Sequence, residues 1–253
     1  MNSFIAIVCS PRSGSTLLLR LLDSHSKISA PCEIGIPALF TEKDIKYPKL
    51  IEKWRQICDY YETDQAASLN ECDLLFKAIL LKENKTALVL KDPRASLFIN
   101  ELEAAYHPLY IHLVRDARSV ANSRMFDNPV DGLLKWHEYN QAILDAFSSL
   151  DSDRQRLIRY EDLTRSPEEV LGKLLEYLGF EFESSMLDFG SFDHADDKMY
   201  LWNGEKPSAS KLQYDLGTTI RPMTEAPSWR CAVTQAYDAL PHIRYLNEQF
   251  GYF

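Results

Sequence analysis

The sequence has no run of about 18 or more apolar residues, which is the minimum that a membrane-spanning helix needs. Its first residues lead directly into a strand-like segment, without the basic stretch and apolar core of a secretory leader. From these absences we expect a chain without a membrane span and with a cytoplasmic location.

Cysteine is scarce and shows neither a metal-binding nor a redox pattern. None of the five cysteines belongs to a CxxC pair or lies beside a histidine cluster. Zinc sites and thioredoxin-type motifs depend on such close spacing. The sequence therefore predicts reduced thiols and no metal site at Cys9, Cys32, Cys58, Cys72 and Cys231.

Basic residues are outnumbered by acidic ones, 28 to 37, and the formal net charge is −9. Broad nucleic-acid binding needs a basic surface that neutralises phosphates, so this function class is disfavoured, although a local basic cleft is compatible with the composition. The chain has 253 residues, of which 45% are hydrophobic. This length suits one core, and we expect one domain over residues 1–253.

Short apolar segments with β-branched residues predict four buried strands, at Phe4–Cys9, Thr86–Leu90, Leu109–Val114 and Arg156–Tyr160. Helical patterns lie between and after them, at about Lys49–Tyr61, Ala95–Ala105, Ala117–Met125, Asp131–Ser149 and Pro167–Leu178. Strands that alternate with helices indicate βαβ units. We therefore predict an α/β fold, a single P-loop-type domain with a mostly parallel central sheet flanked by helices.

Two regions toward the end of the sequence differ from this pattern. From about 183 to 227 the periodicity fades and Gly, Pro, Ser, Asp and Lys dominate, which is typical of either a functional lid or disorder. The segment "TQAYDALPHIRYLNEQFGYF" is amphipathic and could pack on the core of its own chain or on a partner.

The segment "SPRSGST" joins the first strand to an amphipathic helix and has the composition of an anion-binding loop. Free N–H groups and the macrodipole at a helix N-terminus favour an anion. Gly14 permits close approach of the backbone, and the neighbouring Arg12, Ser13, Ser15 and Thr16 add donors. An ordinary strand-to-helix turn with a Ser/Thr cap would have the same composition.

The loop departs from the nucleotide-triphosphate pattern G-x-x-x-x-G-K-[ST] at two positions. Cys9 stands in place of the first glycine and Ser15 in place of the lysine. A kinase or ATPase uses that lysine on the β- and γ-phosphates. Its absence argues against phosphoryl transfer from ATP.

A second anion site is expected at another strand-to-helix turn, within "LVRDARSVANSRM". Arg115 follows the strand directly, and Ser123 lies eight residues further on in the next helix. Arginine forms a planar fork on a phosphate, and the serine hydroxyl can donate a further hydrogen bond. A surface arginine followed by a helical serine would look the same in isolation.

Taken together, "SPRSGSTLL" and "VRDARSVANS" resemble the sulfotransferase superfamily, whose donor is 3′-phosphoadenosine 5′-phosphosulfate. The resemblance implies that Arg115 and Ser123 bind the 3′-phosphate, that 3′,5′-adenosine bisphosphate is the product, and that no metal is needed. It also implies a loop that holds the 5′-phosphosulfate, formed by Pro11, Arg12, Ser13, Gly14, Ser15 and Thr16.

Three further segments extend the resemblance. "RYEDL" is similar to the Tyr-Glu element of the family, which implies that Tyr160 lies near the adenine. "LKDPR" resembles the Lys-Asp-Pro segment of the protein-tyrosine sulfotransferase branch, which implies that Lys91 serves the transfer. "SKLQYDLGTTIRP" resembles the Ser-Lys…Ile-Lys-Pro segment of that branch, and it implies Ser210, Lys211 and Arg221 around the donor.

Glu33 is the expected general base. It is the only carboxylate between Asp23 and Glu42, and a glutamate in this segment is the base in the tyrosine-directed branch and in related bacterial enzymes. An exposed loop glutamate would have the same sequence context. Arg12 and Lys91 are the expected charge stabilisers at the transferring group.

Many small-molecule sulfotransferases use a histidine as the base. His25, His107, His112 and His137 have no surrounding motif, and a lone histidine is more often packed or exposed than catalytic, so they rank below Glu33.

The acceptor is not determined by these motifs. A negative chain without an anchor disfavours the acidic peptides of the tyrosine-directed branch, unless the cleft itself is basic. Leu90 stands where that branch has a cysteine, so no disulfide to Cys32 can form there. We expect the hydroxyl of a small molecule, lipid or carbohydrate, with peptide tyrosine as the alternative. An ATP-dependent kinase and a non-catalytic nucleotide-binding protein are the rival classes.

Overall fold

The computed structural model describes residues 4–31, 33–35, 48–64, 72–192, 194, 219–220 and 229–253. In these ranges, no helix combines the length and the apolar character that crossing a membrane requires.

The centre of the fold is a parallel sheet of five strands in the order β2-β3-β1-β4-β5. The strands are β1 (Phe4–Val8), β2 (Ile28–Ser29), β3 (Ala87–Lys91), β4 (Leu109–Val114) and β5 (Gln155–Arg159). The three inner strands are almost wholly buried, as expected of strands that are covered on both faces. The prediction of an α/β fold with a mostly parallel sheet is confirmed.

Helices cover both faces of this sheet. They are α1 (Ser15–Asp23), α2 (Pro48–Tyr60), α3 (Asp73–Glu83), α4 (Ile99–Tyr106), α5 (Ala117–Ala121), α6 (Pro129–Phe147), α7 (Tyr160–Arg165), α8 (Pro167–Leu178), α9 (Cys231–Asp238) and α10 (Pro241–Gln249). Ile5 and Ile7 of β1 point to the core formed with α1 and α8, whereas Ala6 and Val8 point to the opposite core formed with α4 and α6. Successive side chains of β1 therefore pack alternately into two cores, one on each face of the sheet.

The predicted bounds of β4 and α8 match the structure, and most others differ by a few residues. The helix expected at Ala95–Ala105 is instead a 3-10 helix, Pro93–Leu97, followed by α4, because Pro93 begins a separate turn that Asp92 caps. The helix expected at Ala117–Met125 ends at Ala121. A 3-10 helix, Ser184–Ser191, lies where the sequence predicted an irregular stretch.

The helices α9 and α10 pack on α5 and α6. Their apolar side chains form one buried cluster with Val114 of β4, Trp136 of α6 and Phe250. This packing brings the end of the chain beside the turn that follows β4, where Arg115 lies. The amphipathic segment therefore covers the core of its own chain.

Candidate active site

The described residues that the sequence predicted to be functional lie largely at one edge of the sheet. Lys91 is the last residue of β3, and Arg115 and Tyr160 directly follow β4 and β5. The loop of residues 9–14 follows β1, which lies between β3 and β4. In open parallel sheets, ligands bind in the crevice at the carboxyl ends of the strands where the chain turns to opposite sides.

The loop after β1 is a tight turn with two residues in the left-handed conformation. Arg12 has a φ of 69° and Gly14 a φ of 87°. The hydroxyl oxygens of Ser10 and Ser13 are 2.8 Å apart, and both residues are buried. Gly14 is the N-cap residue of α1, and among the described residues no side chain caps this helix. Leu17 N already donates to Gly14 O at 3.0 Å, so the N–H groups that precede it in the first turn are the ones available to an anion.

Gly14 also lies directly against the ring of Tyr160. A Cβ atom added to Gly14 would be 2.2 Å from both Cδ2 and Cε2 of Tyr160. No real Cβ atom approaches a ring so closely, so the position requires glycine both for its backbone angle and for the contact. This contact joins the loop after β1 to the end of β5.

Arg115 completes the same surface. Its guanidinium carbon lies 4.3 Å from the centre of the Tyr160 ring, and its Nη1 is 3.4 Å from the carbonyl oxygen of Arg12. Its Nε is buried and has no hydrogen-bond partner among the described residues. A buried donor without a partner is costly, which makes this atom suited to an anionic ligand.

Arg12 lies toward Arg115 and Ser123 in this conformation. Its Nε donates a hydrogen bond of 2.9 Å to the hydroxyl of Ser123. The structure thus brings together Arg12, Arg115, Ser123 and Tyr160, four residues that the sequence predicted for donor binding. The role of Arg12 at the transferring group stays a prediction.

The predicted catalytic pair, Lys91 and Glu33, is in direct contact. Lys91 Nζ lies 2.7 Å from Glu33 Oε1, and the side chains are 3% and 19% exposed. Burial by itself lowers the pKa of Lys91, but the charge and hydrogen bond of Glu33 outweigh burial and hold that pKa above its usual value. Lys91 is therefore a buried cation at the end of β3.

Cys9 lies beside this pair but is not a nucleophile. It is fully buried, and burial raises the pKa of its thiol to about 12 despite a hydrogen bond with Ser15 and the charge of Lys91. The thiol is therefore neutral near pH 7. Its main chain is bonded twice to Ser96, whose Oγ accepts from Cys9 N at 2.9 Å and donates to Cys9 O at 3.2 Å.

Ser96 and Asp92 make hydrogen bonds around the site that the sequence motifs did not reveal. Ser96 ties the loop after β1 to the 3-10 helix after Lys91, and the Asp92 side chain accepts from Arg94 N at 3.0 Å. Asp92 lies within the quoted "LKDPR" motif, so its place beside a proline was a possible sign of a cap. Ser96 had no such sign.

The four histidines that ranked below Glu33 have structural surroundings. His25, at the opposite end of α1, bonds to the carbonyl of Glu181 at 3.0 Å and accepts from Lys27 N at 3.0 Å. The ring of His107 is largely exposed beside Glu103. The ring of His137 lies 4.9 Å from that of His242.

His112 is buried in β4, with its Nε2 2.9 Å from Asn140 Oδ1 and its ring against Phe147 and Phe250. Burial lowers the pKa of His112 to about 4, although the Asn140 hydrogen bond acts in the other direction. Its ring thus belongs to the protein core.

This burial predicts a pH-dependent stability. An unfolded histidine binds its proton near pH 6.5, whereas His112 in the native state stays neutral down to about pH 4, so the free energy of unfolding falls as pH drops between these values. The loss over the whole window is about 3 kcal/mol. Urea unfolding at pH 7 and pH 5 tests this, and His112→Gln is expected to flatten the dependence. His107→Gln, at an exposed histidine, should keep the wild-type slope, and equal slopes in both variants would contradict the assignment.

Ser210, Lys211 and Arg221 lie outside the described residues, as does most of the 183–227 region. Cys32 itself also lies outside the described residues. Within the described ranges, no group of three or more His, Cys, Asp or Glu side chains is arranged to hold a metal ion.

A model of the Sulfotransferase family matches residues 5–184 of this chain. Protein-tyrosine sulfotransferase A of Caenorhabditis elegans is 23% identical over 201 residues, which are 74% of this chain and 52% of that protein. Protein-tyrosine sulfotransferase 1 of Danio rerio is 28% identical over 198 residues, which are 70% of this chain and 53% of that protein. The chain thus spans about half the length of these two relatives.

Two solved structures share the fold. The sulfotransferase domain of the Synechococcus PCC 7002 olefin synthase has a TM-score of 0.68 at 24% identity, and the comparison covers 100% of this chain and 95% of that one. The sulfotransferase domain from the curacin biosynthetic pathway has a TM-score of 0.65 at 24% identity, with 95% and 98% covered. Since the family model spans well over half of the sequence, the chain belongs to the sulfotransferase family.

Proposed function

We propose that this protein transfers a sulfuryl group from 3′-phosphoadenosine 5′-phosphosulfate to a hydroxyl group, with Glu33 as the general base. The observation that carries the proposal is the 2.7 Å contact between Glu33 and the buried cation Lys91, beside the loop that follows β1. A base and a cation at the carboxyl edge of the sheet are what an in-line transfer to a hydroxyl requires.

Glu33 and Lys91 have complementary tasks in this proposal. Glu33 accepts the proton of the acceptor hydroxyl, because a carboxylate that is 19% exposed can meet a substrate while its partner orients it. Lys91 faces the negative charge that develops on the transferring group and its bridging oxygen. Because Lys91 is buried, its charge acts in a medium that screens it weakly.

The residues at the edge of the sheet fit an adenosine donor with two anionic ends. The uncapped start of α1 and the left-handed loop of Pro11, Arg12, Ser13, Gly14, Ser15 and Thr16 suit the 5′-phosphosulfate. Arg115, with its buried Nε unpartnered among the described residues, and Ser123 suit the 3′-phosphate, and the half-buried ring of Tyr160 suits the adenine. We propose that Ser210, Lys211 and Arg221 also contact the donor. The donor, when bound, would supply the sulfuryl group, and 3′,5′-adenosine bisphosphate would leave as the bond from sulfur to its 5′-phosphate oxygen breaks.

A thermal-shift comparison tests the donor. We expect 3′,5′-adenosine bisphosphate to raise the unfolding temperature without a metal, because a ligand that binds only the native state stabilises it. ATP with magnesium should give a much smaller shift, and buffer alone is the reference. A larger shift with ATP and magnesium would favour the kinase class and overturn the proposed donor.

For the acceptor we propose the hydroxyl of a small molecule, lipid or carbohydrate. The net charge of −9 gives acidic peptides no long-range attraction to the chain, so their binding would depend on the cationic side chains of the cleft alone. Peptide tyrosine is the second candidate, and the names of the two relatives favour it. Transfer from labelled donor to phenols, alcohols, sugars and tyrosine peptides separates the two, since only the first candidate predicts turnover without a peptide.

A further inference from the structure

The turn that carries Arg115 is held by side chains from distant parts of the chain. Trp136 of α6 donates its Nε1–H to the carbonyl oxygen of Arg115 at 2.8 Å. Asp116 N donates to Glu161 Oε1 at 3.3 Å, and Ala117 N donates to Asn247 Oδ1 at 3.0 Å. Three consecutive residues are thus each bound to a side chain from α6, α7 or α10.

The contact from α7 is in turn held by Tyr252. The Tyr252 hydroxyl lies 2.5 Å from Glu161 Oε2 and 3.4 Å from the carbonyl oxygen of Val114, the last residue of β4. Burial, followed by the charge of Glu161, raises the pKa of Tyr252. The hydroxyl therefore keeps its proton and donates a hydrogen bond to the carboxylate of Glu161. The Arg159 guanidinium lies 4.3 Å from the centre of the Tyr252 ring.

This network is shielded from water. Asn247 is 0% exposed, Tyr252 5% and Glu161 8%. The Nδ2 of Asn247 donates to the hydroxyl of Tyr237 at 3.0 Å, which fixes the orientation of the amide. A buried hydrogen bond that loses one partner leaves the other unsatisfied, so the turn cannot shift without a cost at each of these side chains.

The starts of α1 and α5 therefore differ. Within the part of the chain that the structure describes, no side chain caps α1, whereas the N–H groups of Asp116, Ala117 and Arg118 at the start of α5 are bound by Glu161, Asn247 and Asp116. These three amides are consequently not available to a ligand. Anion binding after β4 must depend on the side chain of Arg115, whose position follows that of the turn.

We propose that Asn247 and Tyr252 are positioning residues for Arg115 and thereby set the affinity for the 3′-phosphate of the donor. The inference rests on the proposed function, because it takes the 3′-phosphate as the ligand of Arg115. Directional hydrogen bonds from a guanidinium tolerate little displacement, and a small shift of the Asp116 peptide moves the whole side chain. Neither residue is expected to contact the donor itself.

The test is the ratio of two affinities, measured by calorimetry on the full chain. The ratio compares 3′,5′-adenosine bisphosphate with adenosine 5′-monophosphate, which lacks the 3′-phosphate. Tyr252→Phe removes one oxygen atom, and Asn247→Ala removes the acceptor of Ala117 N. Each is expected to lower the preference for the bisphosphate about three- to tenfold, the effect of a partly lost charge-assisted hydrogen bond. If Asn247→Ala does not fold, Tyr252→Phe alone carries the test.

Tyr110→Phe is the matched control. It removes a buried hydroxyl that donates to Ile99 O at 3.3 Å, outside the network around Arg115, so it can lower stability but the ratio should stay at its wild-type value. Arg115→Ala should give the largest loss of preference for the bisphosphate, because it removes the side chain proposed to bind the 3′-phosphate. The inference is wrong if Arg115→Ala abolishes the preference for the bisphosphate but Tyr252→Phe and Asn247→Ala leave that preference unchanged. This holds whether these two variants weaken the binding of both nucleotides equally or weaken the binding of neither. A wild-type ratio near one would overturn the proposed donor and the inference with it.

Discussion

Replacing Lys91 or Glu33 by alanine is expected to lower the turnover number about 100- to 10,000-fold, the range typical of a lost general base or a lost charge stabiliser. The affinity for 3′,5′-adenosine bisphosphate should change little, because the residues proposed to bind it are Arg115, Ser123 and the loop after β1. Since the two side chains act as a pair 2.7 Å apart, the double variant should be hardly slower than either single variant. Steady-state kinetics and calorimetry measure the two quantities separately.

A surface ion pair supplies the matched control. Lys173 and Glu169 on α8 are 2.6 Å apart and largely exposed, so Lys173→Ala and Glu169→Ala make the same chemical changes away from the sheet edge. Both should keep wild-type turnover. Glu33→Gln should be as slow as Glu33→Ala, because an amide cannot accept the proton. Full turnover in Glu33→Gln would exclude Glu33 as the base, and lost nucleotide binding in Lys91→Ala would contradict the division of roles.

Gly14→Ala is expected to lower both stability and nucleotide affinity. The new Cβ would be 2.2 Å from two ring carbons of Tyr160, and a φ of 87° is unfavourable for alanine. Strain in the backbone and overpacking together are expected to lower the free energy of unfolding by about 2–5 kcal/mol. The displacement of Tyr160 and of the loop should weaken the binding of 3′,5′-adenosine bisphosphate about 100-fold, an estimate that follows from two lost contacts of ordinary strength.

Gly172→Ala is the control for this substitution. Gly172 lies inside α8, and nothing lies within 4 Å of the position of an added Cβ. Alanine is a better helix former than glycine, so this variant should gain up to about 1 kcal/mol of stability and bind the nucleotide normally. Urea unfolding and calorimetry on both variants test the contrast. Normal binding by Gly14→Ala would show that the contact with Tyr160 does not shape the donor site.

The strand-to-helix units were the most predictable part of the fold. β4 and α8 have the predicted bounds because neighbouring residues mark their ends. β4 is a short apolar run, and α8 begins at Pro167 and is capped by Gly179. The two-residue strand β2 was missed, since Ile28–Ser29 is too short for any periodicity. Helix α7 was also missed, because Tyr160 reads as the end of a strand but begins a helix.

The site was predictable in its members rather than in its contacts. The motifs named Lys91 and Glu33 separately, and the structure adds their ion pair across 58 positions of sequence. They did not indicate that the Arg12 side chain lies on Ser123, or that Ser96 holds the main chain of Cys9. Such contacts join residues far apart in the chain, and no local pattern encodes them.

The sequence by itself determined the α/β class, the positions of the main strands along the chain and the residues around which a sulfuryl donor is proposed to bind, because hydrophobic periodicity and loop chemistry are local properties. Only the tertiary structure decided that His112 belongs to the core, that Gly14 must accommodate Tyr160, and that Asn247 supports the turn of Arg115. These properties depend on burial and on contacts between distant segments, which arise only when the sheet brings its strand ends to one edge.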